Sequence, residues 1–136
     1  MAFVFLLLPI AAGSQELSER EKTILDMVAR ERGLTKEQTI LLYSIRSHEN
    51  GAPGLECGVV QPCARYYRDG FVSLIVQADY ASWIIKERYR GDIGKLSRIY
   101  HNGNPETDAH WGDCVRAYYR EYSKTYGQEI RREKSN

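Results

Sequence analysis

One carboxylate stands where acid–base chemistry is feasible. Glu49 closes the run Ile45-Arg46-Ser47-His48-Glu49-Asn50-Gly51, at the end of a helical pattern and just ahead of a stretch holding Pro53, Gly54, Gly58 and Pro62. The C-terminal end of a helix carries partial negative charge, which favours the neutral form of a carboxyl group placed there, and apolar neighbours add to that preference. A carboxylic acid that keeps its proton near neutral pH can act as a general acid. Two further carboxylates could share such a site, Glu56 in the loop and Asp79 on the next helix; both read more simply as solvated surface groups. His48 points to another side of the helix than Glu49 and reads as a packing or capping histidine.

Three cysteines offer other chemistry: Cys57, Cys63 and Cys114. In an oxidising compartment Cys57 and Cys63 could bridge, or either could pair with Cys114, leaving one thiol over. His110 and Cys114 are four apart and share a helix face, so with Cys57 and Cys63 they make a four-ligand zinc set on paper. The Cys57–Cys63 gap is wider than the usual spacing for such a site. The plainest reading is three buried thiols acting as small hydrophobes. No metal or other cofactor is expected.

The elements that must position these groups read as mainly α. Ser18 with Glu21 makes a capping box, opening a helix with Ile24, Leu25 and Val28 on one side and Gly33 at its C-terminal cap. Thr35 with Gln38 makes a second box, opening the helix that carries Ile40, Leu41, Ile45 and His48 and ends near Asn50-Gly51. Residues 51–62 lack a helical period and read as a folded loop or short hairpin. Helical spacing returns from about Ser73 to Arg90, with Ala78, Ala81, Ile85 and Tyr89 inward. Asp92 caps a short helix ending near Tyr100. The segment 101–107, with Asn102-Gly103 and Pro105, is turn chemistry. A last helix from about Trp111 to Tyr126 carries Trp111, Val115, Tyr118 and Tyr122 on one stripe, and a charged tail over 129–136 is expected to fray.

Composition narrows the function classes. The 136 residues hold 19 Lys plus Arg against 18 Asp plus Glu, a formal charge of +1. That fits a single domain and argues against a protein that grips nucleic acid through a strong positive field. The basic residues among Tyr118, Tyr119, Tyr122 and Tyr126 are offset by Asp113, Glu121, Glu129 and Glu133, so no nucleic-acid partner is expected. No apolar run reaches the ~20 residues of a membrane span. Residues 1–13 carry no charge, are apolar from Ala2 to Leu8, and place small residues at Ala11 and Gly13, as before a signal-peptidase cut. The segment is shorter than usual for a secretory signal and has no basic start. Export, with residues 14–128 as the domain, is the expectation.

In order along the chain, four stretches resemble the soluble lytic transglycosylase family of the lysozyme-like superfamily. A helix ends in Glu49-Asn50 where the family has Glu-Ser. Gly58-Val59-Val60-Gln61 matches the Gly-Leu-Met-Gln motif at Gly and Gln. Ile99-Tyr100-His101-Asn102-Gly103 matches the Ala-Tyr-Asn-Ala-Gly motif at Tyr and Gly. Val115-Arg116-Ala117-Tyr118-Tyr119 resembles the closing Tyr-rich helix. The resemblance spans roughly residues 36–123 and is closer to short-loop relatives from bacteria and phages. It implies a lysozyme-like fold with a short loop or hairpin after the catalytic helix. It implies cleavage of the β-1,4 bond between N-acetylmuramic acid and N-acetylglucosamine, with Glu49 as acid and then base and a 1,6-anhydro product. Tyr100 would tune Glu49, and Gln61 and Gly58 would hold the acetamido group, with Asn102 and His101 in the same cleft. The partner implied is the peptidoglycan strand, reached alone or within a larger envelope or phage assembly. A lysozyme-type hydrolase, or a glycan-binding module without activity, are the alternatives.

Overall fold

The computed structural model describes residues 16–59, 70–100 and 104–135. The described residues form five helices and no strand: α1 Glu19–Arg32, α2 Lys36–Glu49, α3 Gly70–Arg88, α4 Ile93–Tyr100 and α5 Pro105–Ser135. The mainly α class read from the sequence is therefore present. None of these helices is long and apolar enough to cross a membrane.

Local chemistry fixes most helix ends. Ser18 Oγ accepts from the Glu21 N–H at 3.1 Å, and Gly33 closes α1 in the left-handed region at φ 68°. Thr35 and Gln38 close a full capping box on α2. The box expected at Ser18 is only half made, because Glu21 directs its carboxylate to Arg46 Nη2 at 3.3 Å. Asp92 Oδ1 accepts from the Gly94 N–H at 2.9 Å at the start of α4.

Two boundaries depart from the sequence reading. The last helix starts at Pro105, not near Trp111. Asn104 supplies its cap, accepting from the Glu106 N–H at 3.1 Å, and Pro105 takes the first helical position, where no N–H is needed. The same helix runs on through Gly127 to Ser135, taking in all but the last residue of the segment expected to fray. Residues 51–59 are successive turns rather than a hairpin arm, with Leu55 N–H on Ala52 O at 2.8 Å and Gly58 N–H on Leu55 O at 3.0 Å.

The core lies between α2 and α5, with α1 and α3 closing one side and α4 packed on α5. Leu25, Ile40, Leu41, Ile45, Ala78, Ala81, Ile85 and Val115 are buried as their periodicity requires. Trp111, Tyr118 and Tyr122 bury the α5 stripe, and Tyr122 Oη bonds Ser47 Oγ at 2.6 Å, pinning α5 to the last turn of α2. Truncating Leu41 to Ala should cost about 2–5 kcal/mol through lost burial and the cavity left behind. Thr35→Ala, which removes only a cap, should cost about 1 kcal/mol. Urea unfolding of the two variants checks this ordering, and equal losses would contradict it.

Candidate active site around Glu49

Glu49 is the last residue of α2. Asn50 follows at φ 39° with its N–H on Arg46 O at 2.8 Å, a left-handed step that turns the chain back over the helix end. Arg46, buried one turn earlier, holds this reversal. Its Nη1 donates to Asn50 Oδ1 and to Glu56 O, each at 3.2 Å, while Nη2 reaches Glu21. One guanidinium thus joins α1, the end of α2 and the loop.

From the other side α3 clamps the loop with a single amide. Gln77 is wholly buried. Its Oε1 accepts from the N–H groups of Cys57 at 3.1 Å and Val59 at 3.2 Å, and its Nε2 donates to Gly54 O at 2.9 Å and Val59 O at 2.7 Å. Glu56 adds a latch: Oε1 accepts from the Gly54 N–H at 3.0 Å and from Ser73 Oγ, one turn before Gln77 on α3. Glu56 is therefore not a solvated surface carboxylate. It is buried and holds the loop. Asp79 is not freely solvated either. It accepts from Arg32 Nε at 2.6 Å and Nη2 at 2.7 Å, and this hydrogen-bonded guanidinium keeps its carboxyl below the usual range.

The clamp delivers Gly58 against the acid. Gly58 sits at φ 70°, and a Cβ there would lie 2.4 Å from Glu49 Cδ and 2.5 Å from Oε2. Glycine is needed twice, for the left-handed backbone and for the space. Opposite, Trp111 donates Nε1–H to Glu49 Oε1 at 2.7 Å. Tyr100, ending α4, stacks on Trp111 with ring centroids 4.9 Å apart and planes at 18°. His48 meets the Trp111 ring edge-on at 6.2 Å, a packing role as its position suggested.

The Tyr100 hydroxyl is buried and has no hydrogen-bond partner among the described residues. Burial first, then Cys57 and Glu49 nearby, push this phenol well above its ordinary value. It stays a proton donor at any physiological pH. Beside it opens a cavity of about 580 Å³ whose walls include Gly58, Val59, Tyr80, Trp83, Arg88 and Tyr100.

The structure thus brings Gly58 and Tyr100 to Glu49. Gln61, Cys63, His101 and Asn102 lie outside the described residues. Cys57 is free rather than bridged, and burial pushes its thiol up to about 12. Cys114 is also free, with Sγ 3.6 Å from His110 Nε2, and the described residues form no metal-holding cluster. Sequence reasoning placed Trp111 on a core stripe without seeing what its indole would reach. It missed Arg46, Gln77, Tyr80, Trp83 and Arg88 altogether. The signal for Gln77 was a pair of polar residues, Ser73 and Gln77, one turn apart on a mostly apolar helix. No family model, curated protein or solved structure matches the chain.

Gln77→Leu would strand four buried backbone groups, each costing about 1–3 kcal/mol if left unpaired. Amide hydrogen exchange should rise over 54–59 while α1 keeps its protection; unchanged exchange in the loop would contradict the clamp. Cys57 sets an alkaline limit. Its unfolded thiol loses its proton near 9.0 and its folded thiol near 12, so the stability is complete below pH 9 and falls as pH rises through that window. Denaturation at stepped alkaline pH should show this fall, with a shallower slope in Cys57→Ala.

Proposed function

We propose that the protein is a lytic transglycosylase that cuts the β-1,4 bond between N-acetylmuramic acid and N-acetylglucosamine in peptidoglycan. One observation carries the reading: the Glu49 carboxyl is held between the Trp111 indole and the Gly58 backbone, near a buried Tyr100 hydroxyl that has no hydrogen-bond partner among the described residues. These contacts involve Glu49, Gly58 and Tyr100, the residues on which the family resemblance places the acid and its support. The uncharged first stretch fits export to the compartment where peptidoglycan lies.

Glu49 gives its proton to the glycosidic oxygen as the bond from that oxygen to the muramyl anomeric carbon breaks. The muramyl 6-hydroxyl then attacks that carbon and loses its proton to the Glu49 carboxylate. The new bond closes a 1,6-anhydro ring, no water is consumed, and Glu49 ends as it began. Trp111 and Gly58 fix where the carboxyl lies. The Tyr100 phenol, kept protonated, offers a hydrogen bond to a ligand atom entering beside it.

A two-carboxylate hydrolase needs a second acid at a set separation across the bond. The two candidates are engaged elsewhere, Asp79 with Arg32 and Glu56 in the loop, which favours the single-carboxylate route. Digestion of purified peptidoglycan by wild type and Glu49→Gln tests this. Wild type should release anhydro-ended fragments by mass analysis, and the variant should be slower by about 10²-fold or more. Reducing ends in place of anhydro ends would make the protein a hydrolase. Equal release by Glu49→Gln would overturn the assignment.

A further inference from the structure

A second cavity, of about 550 Å³, opens between α4 and α5 and shares no wall residue with the one beside Glu49. Its walls include Gly94 and Arg98 from α4 and Asp108, Gly112, Asp113 and Arg116 from α5. By helical register these positions turn away from Tyr100 on α4 and from Trp111 on α5. Two glycines shape it. A Cβ at Gly94 would lie 2.7 Å from Arg116 Nη2, and one at Gly112 would lie 3.2 Å from Nη1. Their absence lets the guanidinium lie in the seam between the helices.

The walls hold two guanidiniums and two carboxylates, and these are poorly matched to one another. Arg116 Nη1 donates to Asp113 Oδ1 at 3.2 Å, but the Asp113 side chain is 78% exposed, so the pair is worth little. Arg98 takes part in no ion pair among the described residues. Asp108 Oδ1 is buried and has no hydrogen-bond partner among them. A buried carboxylate oxygen normally meets a donor, and one without a donor is costly.

The geometry points to a binding site for a small zwitterion, a free α-amino acid, with its ammonium on Asp108 and its carboxylate on Arg98 and Arg116. The mixed charge of the walls selects this class. A phosphate or sulfate would meet the guanidiniums but also two carboxylates, and a cation would meet the reverse. An apolar ligand would strip water from all four charges and return nothing. An amino acid carries both signs on one carbon. Its carboxylate matches the planar donor pair of a guanidinium, and its ammonium supplies the donor that Asp108 lacks. The volume leaves room for a side chain. Because the walls belong to both helices, a bound ligand ties α4 to α5 on the side away from the Tyr100–Trp111 stack. The site stands apart from Glu49 and does not depend on the chemistry proposed there.

Glycines report on both sites, Gly94 and Gly112 in these walls and Gly58 against Glu49. The test is an NMR titration of the full chain, labelled with nitrogen-15 at glycine. The probe is an equimolar mixture of alanine, serine, valine and glutamine, with acetate and methylammonium as the two ends offered separately. The amino acids should move the Gly94 and Gly112 signals and leave Gly58 still. Each separate end should bind at least about ten-fold more weakly, the usual worth of a charge-assisted bond. Asp108→Asn and Arg98→Gln should each weaken the amino acids about ten-fold; Arg98 is exposed, so its variant keeps the fold. Acetate binding as tightly as the amino acids would make this a plain anion site and overturn the proposal. So would still Gly94 and Gly112 signals, or affinity unchanged in both variants. Movement of Gly58 alone would place the ligand at Glu49 and overturn the second site, with the role of Glu49 left to the digestion of peptidoglycan.

Discussion

The constraint on which the rest depends is the approach of the Gly58 backbone to the Glu49 carboxylate. A Cβ at Gly58 would fall inside contact distance of three Glu49 side-chain atoms. Such closeness survives only if helix end and loop are both held firmly. The helix end is held by Asn50 in the left-handed region and by Arg46, which bonds the Asn50 side chain. The loop is held to α3 by Gln77, and by Glu56, which bonds the Gly54 N–H and Ser73. Each of these contacts leads away from the acid to a different element, so α1, α2 and α3 all bear on one carboxyl group.

The polar groups involved are buried, which makes the arrangement all-or-none. A buried backbone N–H or C=O left unpaired is costly, so the loop adopts the one path on which Gln77 satisfies four of them. Arg46 answers the negative end of α2 and the carboxylate of Glu21 together. Cys57, enclosed in the same region, stays a neutral thiol because burial penalises its charged form most.

What was legible in the sequence was local. Ser18, Gly33, Thr35 with Gln38, Asn50 and Asp92 mark helix ends through contacts four residues long or less, and the structure uses each of them. Asn104-Pro105 carries the same kind of signal for α5, but with Asn102-Gly103 beside it the whole segment reads as a turn. What was not legible was distant. Glu56 reads as a surface carboxylate until Ser73 and the Gly54 N–H come within reach, and Asp79 reads as free until Arg32 does. Gln77 is 18 residues from Val59, and Trp111 is 62 from Glu49. Periodicity places such residues on an inward face but does not say what their polar atoms will meet there.

The distant contacts also bear on chemistry. Glu56 Oε2 is buried and without a partner among the described residues, so one oxygen of a second carboxylate lies idle near the loop. To serve as a base it would have to face substrate and water. That means leaving the Gly54 N–H and Ser73, the bonds that set the loop, and with the loop goes the placement of Gly58 against Glu49. Positioning the acid and supplying a second carboxylate are therefore conflicting duties for Glu56. A site built this way fits a reaction in which one protein carboxyl moves the proton and the substrate brings its own nucleophile.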